Sequence, residues 1–539
     1  MRNLFLFVLF LYSVTVSSQE DAWVFFRDKP NAQTFIDSPL SMLSQRALDR
    51  RTRQGIALDT KDAPIHNAYI DQITASSGIT VLAKSKWLNA LHIRGSQVNI
   101  EALTTLLFVD HVQYADHSLN PGGKRAPAPK KTKKGKSLNN TAKGVETTFN
   151  YGASATQIQM LNGHFLHEQN YTGTGMVVAI MDAGFPGVNT KAPFQRLRDN
   201  GLILGGYDFV DRTTNPYVGF QHGTQVLSNI GGYVDGQLIG TAPDASFYLF
   251  RTEDVGSENP IEESNWVEAA EMADSLGVDV ISTSLGYFEY DDPDYSYTYD
   301  DLNGLTSFIS RGADIAFSRG MITVTSAGNS GGSSDPYVAV PADAFTTLAI
   351  GAVNSGESKA GFSSIGPSFD GRIKPDLMSL GVAAVVATET GSITTNSGTS
   401  FAGPILAGAI TSFWGAFPNK TNVEIVQMVK ASADRYSSPD NQYGYGIPDF
   451  QLALLSLEEH TSNQISVSPN PTSDYLTISC SADIIGGSIV FYNNLGQKIL
   501  SQNIENQLQN ISLQSLSSGI YYYTIATAKK TMNGKVIKN

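Results

Sequence analysis

Cysteine is almost missing from this chain: its 539 residues contain one, Cys480. No disulfide can form within the chain, and a cysteine-based zinc site is excluded. Charge is sparse too. Asp, Glu, Lys and Arg make up 16 % of the residues and leave a net charge of −13. Such a balance argues against nucleic acid as the main partner. After the N-terminal apolar run, no stretch reaches the roughly 18 continuous apolar residues of a membrane helix. The mature chain is therefore expected to lack a transmembrane segment. No solenoid-type tandem repeat is visible.

Hydrophobic residues are plentiful, at 41 %. A chain of this length and composition buries several cores rather than one. Its charge is unevenly spread. Residues 1–150 carry 19 basic and 12 acidic side chains, residues 151–455 carry 13 and 33, and residues 456–539 carry five of each. Three charge economies suggest three modules.

Residues 1–18 read as a secretory signal. Arg2 supplies the positive start, Leu4 to Tyr12 is apolar and aromatic, and Val16 and Ser18 suit cleavage before Gln19. Residues 19–120 read as a small α+β unit, with strands at Gly78–Ala83 and Phe108–Tyr114 and a helix at Asn99–Leu107. Residues 121–147 form a basic Pro/Gly/Lys linker: residues 121–145 hold eight Lys or Arg and no acid. Such a segment is open to proteolysis.

Residues 148–455 alternate strands and helices. Met176–Met181 is continuously apolar, as a strand buried on both faces must be. Ile261–Gly277 reads as a helix, Val278–Ser282 and Met321–Ser326 as strands. That alternation predicts an α/β fold with a parallel sheet between helices. Residues 465–539 read as all-β, with strands at Val490–Asn493, Ile511–Leu513 and Ile520–Ile525.

Four segments of the central unit carry chemistry. Asp182 ends the first strand, where parallel sheets place their sites. His222-Gly223-Thr224 precedes a helix. Asn329 lies in Thr325–Gly331, directly after a strand, and its amide can donate to a developing oxyanion. Ser400 lies in Asn396–Ala402, ahead of a helix running from Gly403 to Phe417. Taken singly, these are also what a turn cap, a structural histidine, a turn asparagine and a helix cap look like.

Together, in the order Asp, His, Ser, they resemble the subtilisin-like serine peptidases. The block Gly398-Thr399-Ser400-Phe401-Ala402 carries most of that resemblance. Ser284-Leu285-Gly286, Val340-Pro341-Ala342, Phe362–Pro367 and Lys374-Pro375-Asp376 add to it. About 300 residues are involved. The resemblance implies a subtilisin-like sheet sandwiched by helices and a serine endopeptidase working through an acyl-enzyme. Asp182, His222 and Ser400 would be its triad and Asn329 its oxyanion donor. Ser284, Leu285, Gly286, Ser326, Ala327 and Gly328 would bind substrate. Two positions depart from the family's pattern: Ala183 stands where a hydroxyl residue is usual, and Gln225 where a second histidine is usual.

The family implies protein or peptide substrates and no cofactor for the chemistry. Structural calcium is possible in it, and the stretch Glu289–Asp301, with six acids, is the acid-rich one here. It has no EF-hand spacing and reads as a solvated loop. The cleft segments Ser284–Gly286 and Ser326–Gly328 carry no fixed charge, which suggests an apolar preference.

Residues 19–120 resemble the family's inhibitory pro-segments, so the chain would be a self-processing precursor. The tail motifs Val467–Thr472, Asn494–Gln497, Ser518–Tyr522 and Gly534–Lys538 resemble the β-sandwich sorting domain of type IX secretion. That implies the type IX machinery as partner and export through periplasm and outer membrane, ending secreted or at the cell surface. The alternative is a catalytically inactive protease-fold protein that binds or adheres at the cell surface. A missing triad member would favour it, and none is missing.

Overall fold

The computed structural model describes residues 19–120, 149–461 and 465–539, apart from 469, 481–483, 494–495, 507 and 528–530. The expected signal at 1–18 and linker at 121–147 lie outside the described residues. The chain divides into two compact units, residues 1–451 and 452–539.

The first unit opens with a four-stranded antiparallel sheet in the order Ile79–Ser85, Ala90–Ser96, Gln19–Phe26, Val109–Tyr114. Its central strand alternates strictly. Ala22, Val24 and Phe26 face the sheet's own core with Ile73, Ile93, Ile100 and Val109. Trp23 and Phe25 face the other way and join the core of the larger domain. The helix expected at Asn99–Leu107 runs from Gln97 to Ala102, followed by a tight turn at Leu103–Thr105.

Seven parallel strands form the main sheet. Across it they run Leu377–Leu380, Leu348–Val353, Ile322–Ser326, Val280–Thr283, Val177–Asp182, Ser246–Arg251, Ile203–Asp208. Val177–Asp182, first in the chain, is buried along its whole length. It pairs with Val280–Thr283 on one side and Ser246–Arg251 on the other, so strand order reverses beside it. The crevice at such a reversal, outside the carboxyl ends of the strands, is where an α/β sheet binds ligands.

The helices Ile261–Leu276 and Phe308–Ser318 pack against each other. The helices His222–Gly231 and Thr399–Ala416 form a second pair. Thr399–Ala416 is almost wholly buried and touches the strands Val280–Thr283, Ile322–Ser326, Leu348–Val353 and Leu377–Leu380. It begins four residues earlier than the sequence suggested, so Pro404 sits inside it rather than in its first turn.

The N-terminal sheet docks on the first helix pair. Trp23 stacks on Phe308 with ring centroids 5.1 Å apart. Glu271 accepts hydrogen bonds from Ser85 Oγ (2.6 Å), Trp87 N (2.9 Å) and Lys86 N (3.0 Å). Arg50 pairs with Asp274, both fully buried, while Arg51 bridges Asp62 and Asp274.

In the second unit, two antiparallel sheets enclose a core of Leu476, Ile478, Ile489, Phe491, Ile511, Ile525 and Val536. One has three strands and the other four. This is the all-β architecture expected of the tail.

Candidate active site

Asp182 ends its strand fully buried, and His222 opens a helix alongside. Glycine follows the histidine because the backbone passes so close: a Cβ at Gly223 would lie 2.9 Å from Asp182 Cβ and 2.5 Å from Gly184 O. His222 Nδ1 meets Asp182 Oδ1 at 2.8 Å, and the Ala183 N–H donates to the same oxygen at 2.7 Å. Asp182 Oδ2 has no hydrogen-bond partner among the described residues. Ala183 offers no hydroxyl to it. Burial opposes a charged His222, but the Asp182 charge and hydrogen bond outweigh it and raise the imidazole above its ordinary 6.5.

Ser400 is the second residue of its helix, among the N–H groups that have no partner within a helix. Its Oγ hydrogen-bonds the Ser284 carbonyl at 3.4 Å, a contact at the weak end of the range. Its carbonyl accepts from Ser284 Oγ at 2.8 Å. Thr399 O accepts from Ser326 Oγ at 2.8 Å. The serine's turn is thus held by hydroxyls from two strand ends.

Asn329 follows Gly328, whose φ of +106° and 2.9 Å clearance to Ser364 Oγ suit glycine alone. Thr399 N and Oγ1 both donate to Asn329 Oδ1, at 2.9 and 3.0 Å. A backbone N–H can only donate, so the amide's orientation is settled and Nδ2 remains as the free donor.

A cavity of about 540 Å³ joins these groups. His222, Ser400, Asn329, Ser284, Leu285, Gly286, Ser326 and Gly328 all line it. Asp182 lies behind His222. Ala327 does not reach the cavity: its side chain is fully buried with Val338, Ala342 and Ala349. Gln225 is buried and accepts from Asn396 Nδ2 at 3.0 Å, which ties it to the loop ahead of the serine.

The expectation of an uncharged cleft is corrected. Glu253, Glu258, Glu289 and Asp335 line the cavity, with no lysine or arginine beside them. Glu253 and Glu258 follow the strand Ser246–Arg251, so the strand-end rule that singled out Asp182 could have found them. Thr399, which sets the Asn329 amide, lies in the serine block and carries no signal of that role in its sequence.

Glu289–Asp301 is solvated only in part: Glu289, Asp291, Asp292 and Asp294 are exposed, while its tyrosines turn inward. Tyr290, Tyr295 and Tyr297 are buried, and Tyr290 and Tyr297 both donate to Glu263, at 2.7 and 2.6 Å. Three of its six carboxylates accept from the chain itself: Asp301 from Thr298 N at 2.8 Å, Asp292 from Asp294 N at 3.1 Å and Asp291 from Glu258 N at 3.1 Å. No three of them converge as cation ligands among the described residues.

The family model for subtilases matches residues 173–446. The chain belongs to the subtilase family. Among its relatives, subtilisin NAT of Bacillus subtilis subsp. natto is 31 % identical over 300 residues, covering 55 % of this chain and 70 % of that one. The subtilisin of Bacillus pumilus is 31 % identical over 300 residues, covering 55 % and 97 %. The serine protease AprX of Bacillus subtilis (strain 168) is 28 % identical over 339 residues, covering 57 % and 71 %. Residues 21–135 match the peptidase S8 propeptide domain of Bacteroidota, and residues 466–539 a secretion-system C-terminal sorting domain. This subtilase is therefore a serine endopeptidase made as a secreted precursor, with a pro-segment and a type IX sorting tail. The Val340-Pro341 peptide is cis.

Proposed function

We propose that Asp182, His222 and Ser400 form the catalytic triad of this endopeptidase. The observation that carries the reading is the 2.8 Å contact between Asp182 Oδ1 and His222 Nδ1, made in the cleft that Ser400 also lines. Asp182 fixes the proton on Nδ1 and leaves Nε2 as the base. His222 takes the Ser400 proton as Oγ attacks the peptide carbonyl. The C–O bond forms and the carbonyl π pair moves to oxygen. Asn329 Nδ2 and the Ser400 N–H hold that oxyanion. The oxyanion collapses, the C–N bond breaks, and His222 returns its proton to the leaving amine. Water then attacks the acyl-enzyme by the same route, releasing the acid and restoring Ser400. Nucleophile, base and oxyanion donors are all side chains or backbone of this chain, so these steps call on no cofactor.

The domains follow the same reading. Residues 1–18 are the export signal and 19–120 the inhibitor, joined through 121–147 to the catalytic domain 148–455. Residues 465–539 engage the type IX machinery, which carries the protein to the secreted or cell-surface location. Self-processing is tested with Ser400→Ala in purified full-length precursor. The variant is expected to stay folded and uncleaved. Cleavage in the linker by the purified variant at the normal rate would contradict self-processing.

A further inference from the structure

Three carboxylates meet at one wall of the cleft. Glu253, Glu258 and Glu262 each bring an oxygen within 4.8 Å of the other two. Glu262 is occupied with its own loop, accepting from Asp254 N at 2.9 Å and Asn259 N at 3.1 Å. Glu253 is only 8 % exposed. Its Oε2 accepts from Tyr287 Oη at 2.8 Å. Its Oε1 has no hydrogen bond among the described residues, and the side chain faces the cavity. Glu258 also faces the cavity, and its carboxylate has no partner among the described residues. Among the described residues, no lysine or arginine forms an ion pair with any of the three.

Like charges so close and so shielded from water repel one another. Burial, then the Asp291 charge, pushes Glu258 up to about 7. Burial and neighbouring carboxylates raise Glu253 and Glu262 as well. An ammonium or guanidinium group placed among them would offset the repulsion and give Glu253 Oε1 its missing donor. The cavity continues from this wall to His222 and Ser400, so a peptide in the cleft can deliver such a group. Glu289 and Asp335 add negative charge to the same cavity.

We propose that Glu253 and Glu258 make the cleft selective for peptides with a lysine or arginine side chain near the scissile bond. The inference rests on the triad reading above and names the substrate class that the triad serves. A charge-assisted hydrogen bond in a partly desolvated site is worth about tenfold or more in selectivity.

The test uses mature enzyme obtained from the full-length precursor. Fluorogenic peptides carry Lys, Arg, norleucine or Glu at one position at a time on either side of the cleaved bond. Cleavage and equilibrium binding are both measured, with and without a calcium chelator. At one position, Lys or Arg should exceed norleucine by about tenfold or more in kcat/KM, with Glu poorest. Glu253→Gln with Glu258→Gln should collapse that preference to within about threefold, read as the ratio of basic to norleucine peptide within each enzyme. Equal or better cleavage of neutral peptides by the unmodified enzyme would overturn the inference. Tight calcium binding that Glu253→Gln removes, with no basic preference after chelation, would also overturn it and assign the wall to a metal. If no peptide is cut, binding still decides between basic and neutral peptides, and only the triad reading has failed.

Discussion

Ser284 Oγ donates to the Ser400 carbonyl at 2.8 Å. The ordinary helical donor to that carbonyl would be the N–H of residue 404, and Pro404 has none. A side chain from the end of the neighbouring strand thus satisfies the acceptor that Pro404 leaves open, on the residue proposed as nucleophile. Ser284→Ala should leave that carbonyl without its donor, at a cost of about 1–3 kcal/mol in stability. Because the displaced group is the nucleophile's own backbone, kcat should fall by about tenfold or more while KM changes little. Steady-state kinetics beside thermal unfolding check both; an unchanged kcat would remove Ser284 from the positioning of Ser400.

Asn329→Ala removes the free amide donor. In subtilisin, a relative of this protein, loss of the corresponding donor costs about 10²–10³ in kcat, and a similar loss is expected here. Thr399→Val keeps the asparagine but deletes one of its two anchors, so a smaller loss of kcat is expected. Equal losses in the two variants would show that Thr399 does more than orient the amide.

The pH profile follows from His222. Its neutral form is the base, and its value in the folded enzyme lies above 6.5. Activity should therefore be full at alkaline pH and fall as pH drops through that raised value, with the acidic midpoint of kcat/KM above 6.5. Asp182→Asn removes the two largest causes of the rise and leaves the smaller one, the charge of Glu253. It should move the midpoint down and lower kcat on the order of 10⁴-fold. A midpoint below 6.5 in the unmodified enzyme would contradict the pairing.

The pro-segment is held by charge as well as by apolar packing. Arg50 and Asp274 are both fully buried and belong to opposite partners of that contact. Arg50→Ala in an uncleaved Ser400→Ala precursor should destabilise it by about 3–5 kcal/mol, because Asp274 is left with less compensation. Calorimetry of the two precursors measures the difference. An unchanged transition would mean that Arg51 alone suffices for Asp274.

Much of this architecture is legible in the sequence. The run through Ile180 and Met181 is apolar because the strand is buried on both faces, and that same strand delivers Asp182. Helix boundaries were less legible around Ser400. Glycine, β-branched threonine and Pro404 all disfavour a helix locally, yet fourfold contact with the sheet holds Thr399–Ala416 helical. The tyrosines of residues 287–297 misled in the other direction. The six acids there point to a solvated loop, whereas the interleaved Tyr287, Tyr290 and Tyr297 are buried with their hydroxyls on Glu253 and Glu263. Ala327 belongs to the cleft only by the family resemblance; just past the strand Ile322–Ser326, its side chain packs into the core. The acidic wall was hidden for a related reason: Glu253, Glu258 and Glu262 are spread over ten positions, and only the turn after Arg251 brings them together.

The central claim is an activated serine at position 400. Its most direct measurement is labelling of residues 19–455 by a fluorophosphonate probe, read on a denaturing gel beside Ser400→Ala. A labelled, shortened band that is absent from the Ser400→Ala sample is expected, marking both the activated hydroxyl and removal of the pro-segment. A folded, processed protein that takes no label would contradict the claim.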